Sequence, residues 1–329
     1  MVALADDMTG ALEVGAKFAE AGIHAIVSAQ PVMAPAAPVV VFDTETRHLA
    51  PSEAASEIVR FIGAHRPRLI YKKTDSTLRG NITAELEALA RLFPNWRIGY
   101  APAYPAMGRT VRSGVLFVHG VPVADTEFAQ DALNPVRTSS VSAILHPELD
   151  CTIFDGEHDD HLAEVARAIL SDQTMRIAAG PAGLAEMIAR EIDLPRGGPP
   201  SLPVIRTCLV LNGSRHMRAA MQMREAEAPG WRVVTIDHEP GSDAGSVAAR
   251  NARYLTERIA IERPDAIFVI GGDTVFAVVR ELGFPALTPL AEVVPGVPIS
   301  ATDKGLYLIT KAGAFGDPDV VARVRAKLR

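Results

Sequence analysis

The chain has 329 residues, of which 48% are apolar and 22% charged, with a formal net charge of -6. That length admits two domains, the acidic balance gives no footing for nucleic acid, and no apolar run approaches a membrane span. The N-terminus lacks a basic region followed by a long apolar core, so no signal peptide is expected. Cys151 and Cys208 have no metal or redox spacing and read as buried free thiols of a cytoplasmic protein.

In chain order, Val2-Ala3-Leu4-Ala5 has the length and character of a buried strand. It ends in Asp6-Asp7, after which Ala11, Leu12, Val14, Phe18 and Ala19 recur at helical spacing until Gly22 stops them. Ligands of open α/β sheets bind beyond the carboxyl ends of strands, so both acids stand where chemistry is placed. The plainer alternative is that one of them caps the helix. Two adjacent carboxylates repel and call for a cation nearby.

His24 to Ser28 and Val39 to Asp43 read as strands, Ser52 to Ala64 as a helix, Leu69 to Lys73 as a strand, Asn81 to Phe93 as a helix and Ile98 to Ala101 as a strand. Gly114 to Val123 breaks this rhythm with two short apolar runs around His119-Gly120, a hairpin that is a candidate flap or homodimer arm. The alternation resumes with the strand Cys151 to Asp155, the helix His161 to Leu170, the strand Met175 to Ala179 and the helix Gly183 to Ile192. Leu194 to Pro203 is rich in Pro and Gly and marks a domain boundary. Beyond it, strands are expected at Thr207 to Leu211, Trp231 to Ile236, Asp265 to Ile270 and Leu306 to Thr310. Helices are expected at His216 to Ala228, Ala244 to Ile261, from Thr274, and at Asp319 to Leu328. The fold class is therefore α/β: two α/β domains, 1–193 and 204–329, joined by a linker at 194–203, with largely parallel sheets flanked by helices and a hairpin insertion in the N-terminal domain.

Several strand ends carry polar, glycine-bearing loops. Lys72-Lys73-Thr74-Asp75-Ser76-Thr77-Leu78-Arg79-Gly80-Asn81 packs cations, hydroxyls and an acid ahead of a helix, which suits an anionic ligand. The alternative is a solvated basic turn in which Asp75 pairs with Arg79. Ala101 to Thr110 fixes its backbone with prolines and glycine while Arg109 and Thr110 offer donors; it reads equally as a rigid connector. Asn212-Gly213-Ser214, Gly271-Gly272-Asp273-Thr274 and Lys311-Ala312-Gly313-Ala314-Phe315-Gly316 follow successive strands of the second half. Glycine lets a backbone approach phosphate oxygens, so these loops together favour a nucleotide site, although none is a P-loop or dinucleotide fingerprint. Asp155 to His161 reads as a polar loop before a helix, and no metal site is assigned. There is no G-x-S-x-G elbow of a hydrolase.

With these loops in view the chain resembles the four-carbon acid sugar kinase family. Ala5-Asp6-Asp7-Met8-Thr9-Gly10-Ala11 is similar to its A-D-D-x-T-G-A segment, Lys73 to Asn81 to its K-x-D-S-T-x-R-G-N segment and Ala101 to Thr110 to its A-P-A-x-P-x-x-G-R-T segment. Leu133-Asn134-Pro135-Val136, Gly213-Ser214, Gly271 to Thr274, Pro295-Gly296-Val297-Pro298 and Lys311 to Gly316 match in order. The chain departs from the family in placing Arg215-His216-Met217-Arg218 after Gly213-Ser214, where a small-residue stretch and a Thr are usual, and in being short between Ser214 and Gly271.

The resemblance implies an N-terminal acid-sugar domain, a C-terminal ATP domain, and transfer of the γ-phosphoryl group to the terminal hydroxyl of a tetronate or 3-oxo-tetronate. Asp7, Lys73, Asp75, Ser76 and Arg79 are then expected at the acid sugar, and Ser214, Gly271, Gly272, Asp273, Thr274 and Gly313 to Gly316 at ATP. Arg109 joins the substrate side. Asp7 or Asp75 is expected to accept the hydroxyl proton, and Mg²⁺ to accompany ATP with Asp273 as its candidate partner. Lys72, Lys73 and Arg79 are the expected cations for the acid pair, with Asp7 at the substrate and Asp6 structural. Other classes remain: a non-catalytic acid-sugar or nucleotide sensor and, more weakly, a phosphatase or aldolase. The expected partner is a small-molecule sugar acid, with no nucleic acid or membrane.

Overall fold

A computed structural model describes residues 1–31, 37–63, 65–131, 133–214, 216–234, 243–313 and 315–329. The N-terminal half begins with β1 (Val2–Ala5), α1 (Met8–Glu20), β2 (Ala25–Ser28), β3 (Val39–Asp43), α2 (Pro51–Ile62), β4 (Ile70–Lys73), α3 (Ile82–Leu92) and β5 (Ile98–Tyr100). A small antiparallel sheet follows, made of β6 (Arg109–Arg112), β7 (Val115–Val118) and β8 (Val121–Pro122). Then come β9 (Cys151–Ile153), α4 (Asp159–Ser171), β10 (Ile177–Gly180) and α5 (Ala182–Glu191). The C-terminal half has β11 (Cys208–Asn212), α6 (Met217–Gln222), β12 (Trp231–Val234), α7 (Ala244–Glu262), β13 (Ala266–Ile270) and α8 (Gly272–Leu282). It closes with β14 (Leu287–Val294), β15 (Val297–Thr302), β16 (Tyr307–Lys311) and α9 (Val320–Lys327).

Both halves share one 13-stranded sheet, in the order β12-β11-β13-β16-β15-β14-β2-β3-β1-β4-β10-β5-β9. The runs β12 to β16 and β2 to β9 are each parallel, and their strands are apolar and buried, as strands covered on both faces must be. β15 and β14 form an antiparallel pair between them, and β14 meets β2 antiparallel through Leu287 and Val27 alone. The two parallel runs thus point in opposite senses along the sheet.

Three differences from the sequence reading have physical causes. The antiparallel pair β14/β15 is absent from that reading, because Pro289, Pro295 and Pro298 look like loop residues; here register shifts accommodate them. The hairpin is one strand larger than expected, because Arg109 to Arg112 pairs with Val115 to Val118 as β6. Its turn is His119-Gly120, both at positive φ, +49° and +82°, as a two-residue hairpin turn requires. The helix expected over His216 to Ala228 is short: α6 ends at Gln222 and one tight turn follows. Ala64, Thr235 and Ile236, the ends of an expected helix and strand, lie outside the described residues, as do Arg215 and Ala314.

The Pro/Gly segment after α5 is tethered. Gly197 donates its amide to the Gly22 carbonyl at 2.7 Å, and Arg196 reaches the carbonyls of Ala21 and Ala189. Gly22 holds φ +76°, and a Cβ there would lie 2.3 Å from the Gly197 oxygen, so glycine is required where helix end and connector touch. Cys208 is buried, whereas Cys151, at the start of the outermost strand β9, is only partly covered.

Candidate active site

The site is built from strand ends. β1 pairs in parallel with β4, setting Ala5 opposite Lys73, and with β3, setting Ala5 opposite Asp43. Three polar loops therefore leave one edge of the sheet side by side. Asp7 is the N-cap of α1, its Oδ1 accepting from the Gly10 amide at 2.6 Å, so the capping alternative holds for this acid. Asp7 nonetheless faces the cleft.

The cation that reconciles the two acids is Arg47, from the loop after β3. Its guanidinium donates to both oxygens of Asp6, at 2.7 and 2.9 Å, and to Asp7, and stands 3.9 Å from Asp75. Burial works against the Asp6 charge, but Arg47, with Lys72 and Lys73 behind it, holds the carboxyl below its usual range. The expected cations play other parts. Lys72 is buried and paired with Glu85 at 3.1 Å, and Arg79 faces Asp75 and Asp131 at 2.8 and 3.0 Å. Arg47 carries no local sequence signal; the one available was the polar run Asp43-Thr-Glu-Thr-Arg47 at a strand end.

Asp75 is the anchor of its loop. It accepts from the Thr77 amide and hydroxyl and from two nitrogens of Arg79. Burial opposes its charge, yet Arg79 and Arg47 hold the carboxyl well below the usual range, so it is a poor proton acceptor. Asp43 and Glu45 behave oppositely. Burial, with Glu45 and Asp7 beside it, pushes Asp43 well above that range, and burial with the Asp7 charge pushes Glu45 up to about 8.

A cavity of about 680 Å³ opens at these strand ends. Asp7, Lys73, Asp75, Ser76, Arg79 and Arg109 line it from the N-terminal half, as does Arg47. Arg218, Pro295, Gly296, Lys311 and Gly316 line it from the C-terminal half. Of the sequence-assigned nucleotide residues, Phe315 and Gly316 line this cavity; among the described residues Ser214, Gly271, Gly272, Asp273, Thr274 and Gly313 do not. They pack together beside it. A Cβ on Gly213 would lie 1.9 Å from the Thr274 hydroxyl, and one on Gly313 would lie 2.0 Å from the Ser214 hydroxyl. Gly271 holds φ +111° with the Ser214 amide close by, and Gly272 approaches Thr9, which lines the cavity.

The halves are also clamped. Lys17 of α1 bonds Glu186 of α5 and Glu292 of β14, both at 2.9 Å. Burial pushes Glu292 up to about 7 against the pull of Lys17.

Residues 1–150 match the family model of a sugar-binding N-terminal domain, and residues 233–321 that of a nucleotide-binding C-terminal domain. The chain is 29% identical to a D-threonate kinase of Bordetella bronchiseptica, over 99% of this chain and 96% of the relative. It is 22% identical to a 3-oxo-tetronate kinase of Brucella melitensis, over 95% and 92%. A crystal structure of a domain of unknown function from Bordetella bronchiseptica, a domain-swapped dimer with bound citrate, is 28% identical over 99% of this chain and 97% of that one, with a TM-score of 0.52. A Haemophilus influenzae protein of 18% identity shares the fold, with a TM-score of 0.74 and both chains fully covered.

Fold and site thus define an α/β enzyme with a sugar-binding half and a nucleotide-binding half. The chain belongs to the four-carbon acid sugar kinase family, and it is a sugar-acid kinase. Among the described residues no helix is long and apolar enough to cross a membrane.

Proposed function

We propose that this enzyme uses ATP to phosphorylate the terminal hydroxyl of a tetronate or 3-oxo-tetronate, residues 1–193 seating the acid sugar and 204–329 the nucleotide. The observation that carries this reading is the shared cavity, in which Arg47, Lys73, Arg79 and Arg109 face Arg218, Lys311 and Gly316 of the other half. Guanidinium groups grip carboxylates through paired hydrogen bonds, so the cationic N-terminal wall suits the substrate carboxylate. The relatives named as D-threonate, D-erythronate and 3-oxo-tetronate kinases support the four-carbon class.

The nucleotide fits the loops beside the cavity. Glycines at 213, 271 and 313 let three loops close on one another, and a side chain at any of them would collide with or crowd Ser214 or Thr274. Ser214, Gly271 to Thr274, Gly313 and Gly316 would hold ATP, which supplies the phosphoryl group. Among the described residues no cluster of three or more His, Cys, Asp or Glu could hold a metal ion. A Mg²⁺ ion would accordingly be held mainly by phosphate oxygens and water, with the exposed Asp273 as the protein partner.

The chain's own residues position and neutralise, which is most of what phosphoryl transfer asks of a protein. Asp7 faces the cavity, its Oδ1 on the Gly10 amide and its Oδ2 on Arg47, and is the acid assigned to receive the hydroxyl proton, since Asp75 is more heavily bonded, by Arg79 and Thr77. Asp6, buried against Arg47, positions it. An ADP-release assay with D-threonate, D-erythronate and their 3-oxo forms tests the reading. Turnover with at least one is expected, together with its loss in folded Asp7→Asn. No ADP release above background with any of them would favour the sensor instead.

A further inference from the structure

The charges around the cavity do not balance, and the imbalance is local. Arg47 is committed to Asp6 and Asp7, Arg79 to Asp75 and Asp131, and Arg323 lies 3.4 Å from Asp317. Lys73 shares the electrostatic field of Glu13 and Asp6. Arg109, Arg218 and Lys311 are left. Among the described residues none of these three has a carboxylate within ion-pair distance.

Among the described residues each lacks an ion-pair partner in its own way. The Lys311 ammonium is buried and, among the described residues, donates to the carbonyls of Ala312, Gly313 and Phe315 alone. Arg109 donates to the Met107 carbonyl, its buried Nε has no partner among the described residues, and Asp75 and Glu127 act on it only from beyond ion-pair distance. The Arg218 side chain is exposed and lies within electrostatic range of both others. Burial, with the Arg218 charge added, pushes Lys311 down to about 7. Burying a cation without a counter-ion is costly, and here the three converge on one cavity. They also come from both walls: Arg109 begins β6, Lys311 ends β16 and Arg218 lies in the first turn of α6.

We propose that Arg109, Arg218 and Lys311 seat the phosphoryl group in transit, meeting the terminal phosphoryl of the nucleotide before transfer and the phosphate ester of the product after it. The inference rests on the kinase reading above. A bond forms between the substrate hydroxyl oxygen and the terminal phosphorus as the bond from that phosphorus to the bridging oxygen of ADP breaks. The electron pair of the broken bond leaves with ADP, and the hydroxyl proton passes to a cleft carboxylate. Three fixed cations around the moving phosphoryl group spread its charge across both halves, which is how cationic clamps act in such reactions. Arg109 and Lys311 stand in segments the chain shares with its family and Arg218 in the stretch where it departs, so Arg218 is what this chain adds to the seat.

The test uses inorganic tripolyphosphate as a calorimetric probe and steady-state kinetics as a second readout. Arg218→Gln, at an exposed position, is expected to bind tripolyphosphate at least tenfold more weakly. Its kcat is expected to fall at least tenfold while the KM for the sugar acid moves less than threefold. Lys311→Met is expected to act in the same direction, but it alters a buried site, so Arg218→Gln decides. Wild-type tripolyphosphate affinity and kcat in Arg218→Gln would overturn the seat, even with ADP release intact. Weakened tripolyphosphate binding in a protein that turns over no sugar acid would uphold an anion seat and overturn the kinase reading.

Discussion

Replacing Arg47 by Met should cost far more than replacing any surface arginine. Arg47 makes two hydrogen bonds to Asp6, at 2.7 and 2.9 Å, and the Asp6 side chain is 2% exposed. Removing the guanidinium leaves a carboxylate in the sheet edge with only Lys72 and Lys73 to answer it, and Lys72 is already engaged by Glu85. Breaking a buried pair by deleting one partner costs about 3–5 kcal/mol. With two lysines remaining, the lower end applies, about 3 kcal/mol. That corresponds to a fall in Tm of roughly 6–12 °C, using the scale for somewhat smaller domains. Urea denaturation at pH 7 of Arg47→Met, Asp6→Asn and the double variant measures it. The double variant should be more stable than the sum of the singles predicts by about 2 kcal/mol, since it leaves no unpaired charge. Arg60→Met, whose partner Glu57 sits on an exposed helix face, should cost under about 1 kcal/mol. An Arg47→Met variant as stable as Arg60→Met, or strict additivity with Asp6→Asn, would refute the reasoning.

Glu45 sets a pH dependence. Its folded pKa of about 8 lies above the ordinary 4.5, so the folded chain holds a proton that the unfolded chain releases. Stability is therefore highest below about 4.5 and falls toward pH 8, by up to ~1.4 kcal/mol per pH unit for this one group. Asp43 adds to the same slope. Glu45→Gln should flatten it when urea midpoints at pH 5 and 8 are compared, and an unchanged slope would count against the assignment. Lys17→Met should destabilise by about 3 kcal/mol, because it strands the buried Glu292; pairing it with Glu292→Gln should recover part of the loss in the same urea titration. Gly213→Ala should raise the KM for ATP at least tenfold by driving a methyl into Thr274, with the sugar-acid KM within threefold. Gly198→Ala, which meets nothing within 4 Å, should leave both unchanged.

What the sequence shows most clearly is what depends on local periodicity. Val39 to Asp43 was expected as a strand and is one, and Asp7 announces α1 because capping chemistry is written in adjacent residues. The K-T-D-S-T-L-R loop could be recognised as a ligand loop, but its internal wiring could not. Asp75 binds Arg79, as the plainer alternative held, and also lines the cavity. Arg47 and Lys311 stayed hidden for a different reason. Arg47 acts through carboxylates brought to it by strand order, a long-range property that periodicity does not encode; Lys311 bonds carbonyls of its own loop, and what stayed unseen is that this loop meets the cavity. β14 and β15 were hidden by their prolines, which a register-shifted antiparallel pair tolerates. The glycine loops were visible as loops. That two of them fold against one another beside the cavity, while the loop from Lys311 to Gly316 also lines it, followed only from the packing.

The junction at Leu287 and Val27 has a mechanical consequence. Each parallel run is held by ladders several residues long, whereas the ladder between β14 and β2 is a single residue pair, and α1 bridges the junction by packing on β14, β15 and α8. Bending at that pair would have to slide α1 over β14 and split a core drawn from both halves, so a thin place in the ladder is braced by packing. With apolar side chains of both halves in one core, and Lys17 bonded to Glu186 and Glu292 across them, the gap between Asp7 and Lys311 is set by packing rather than by the single strand contact.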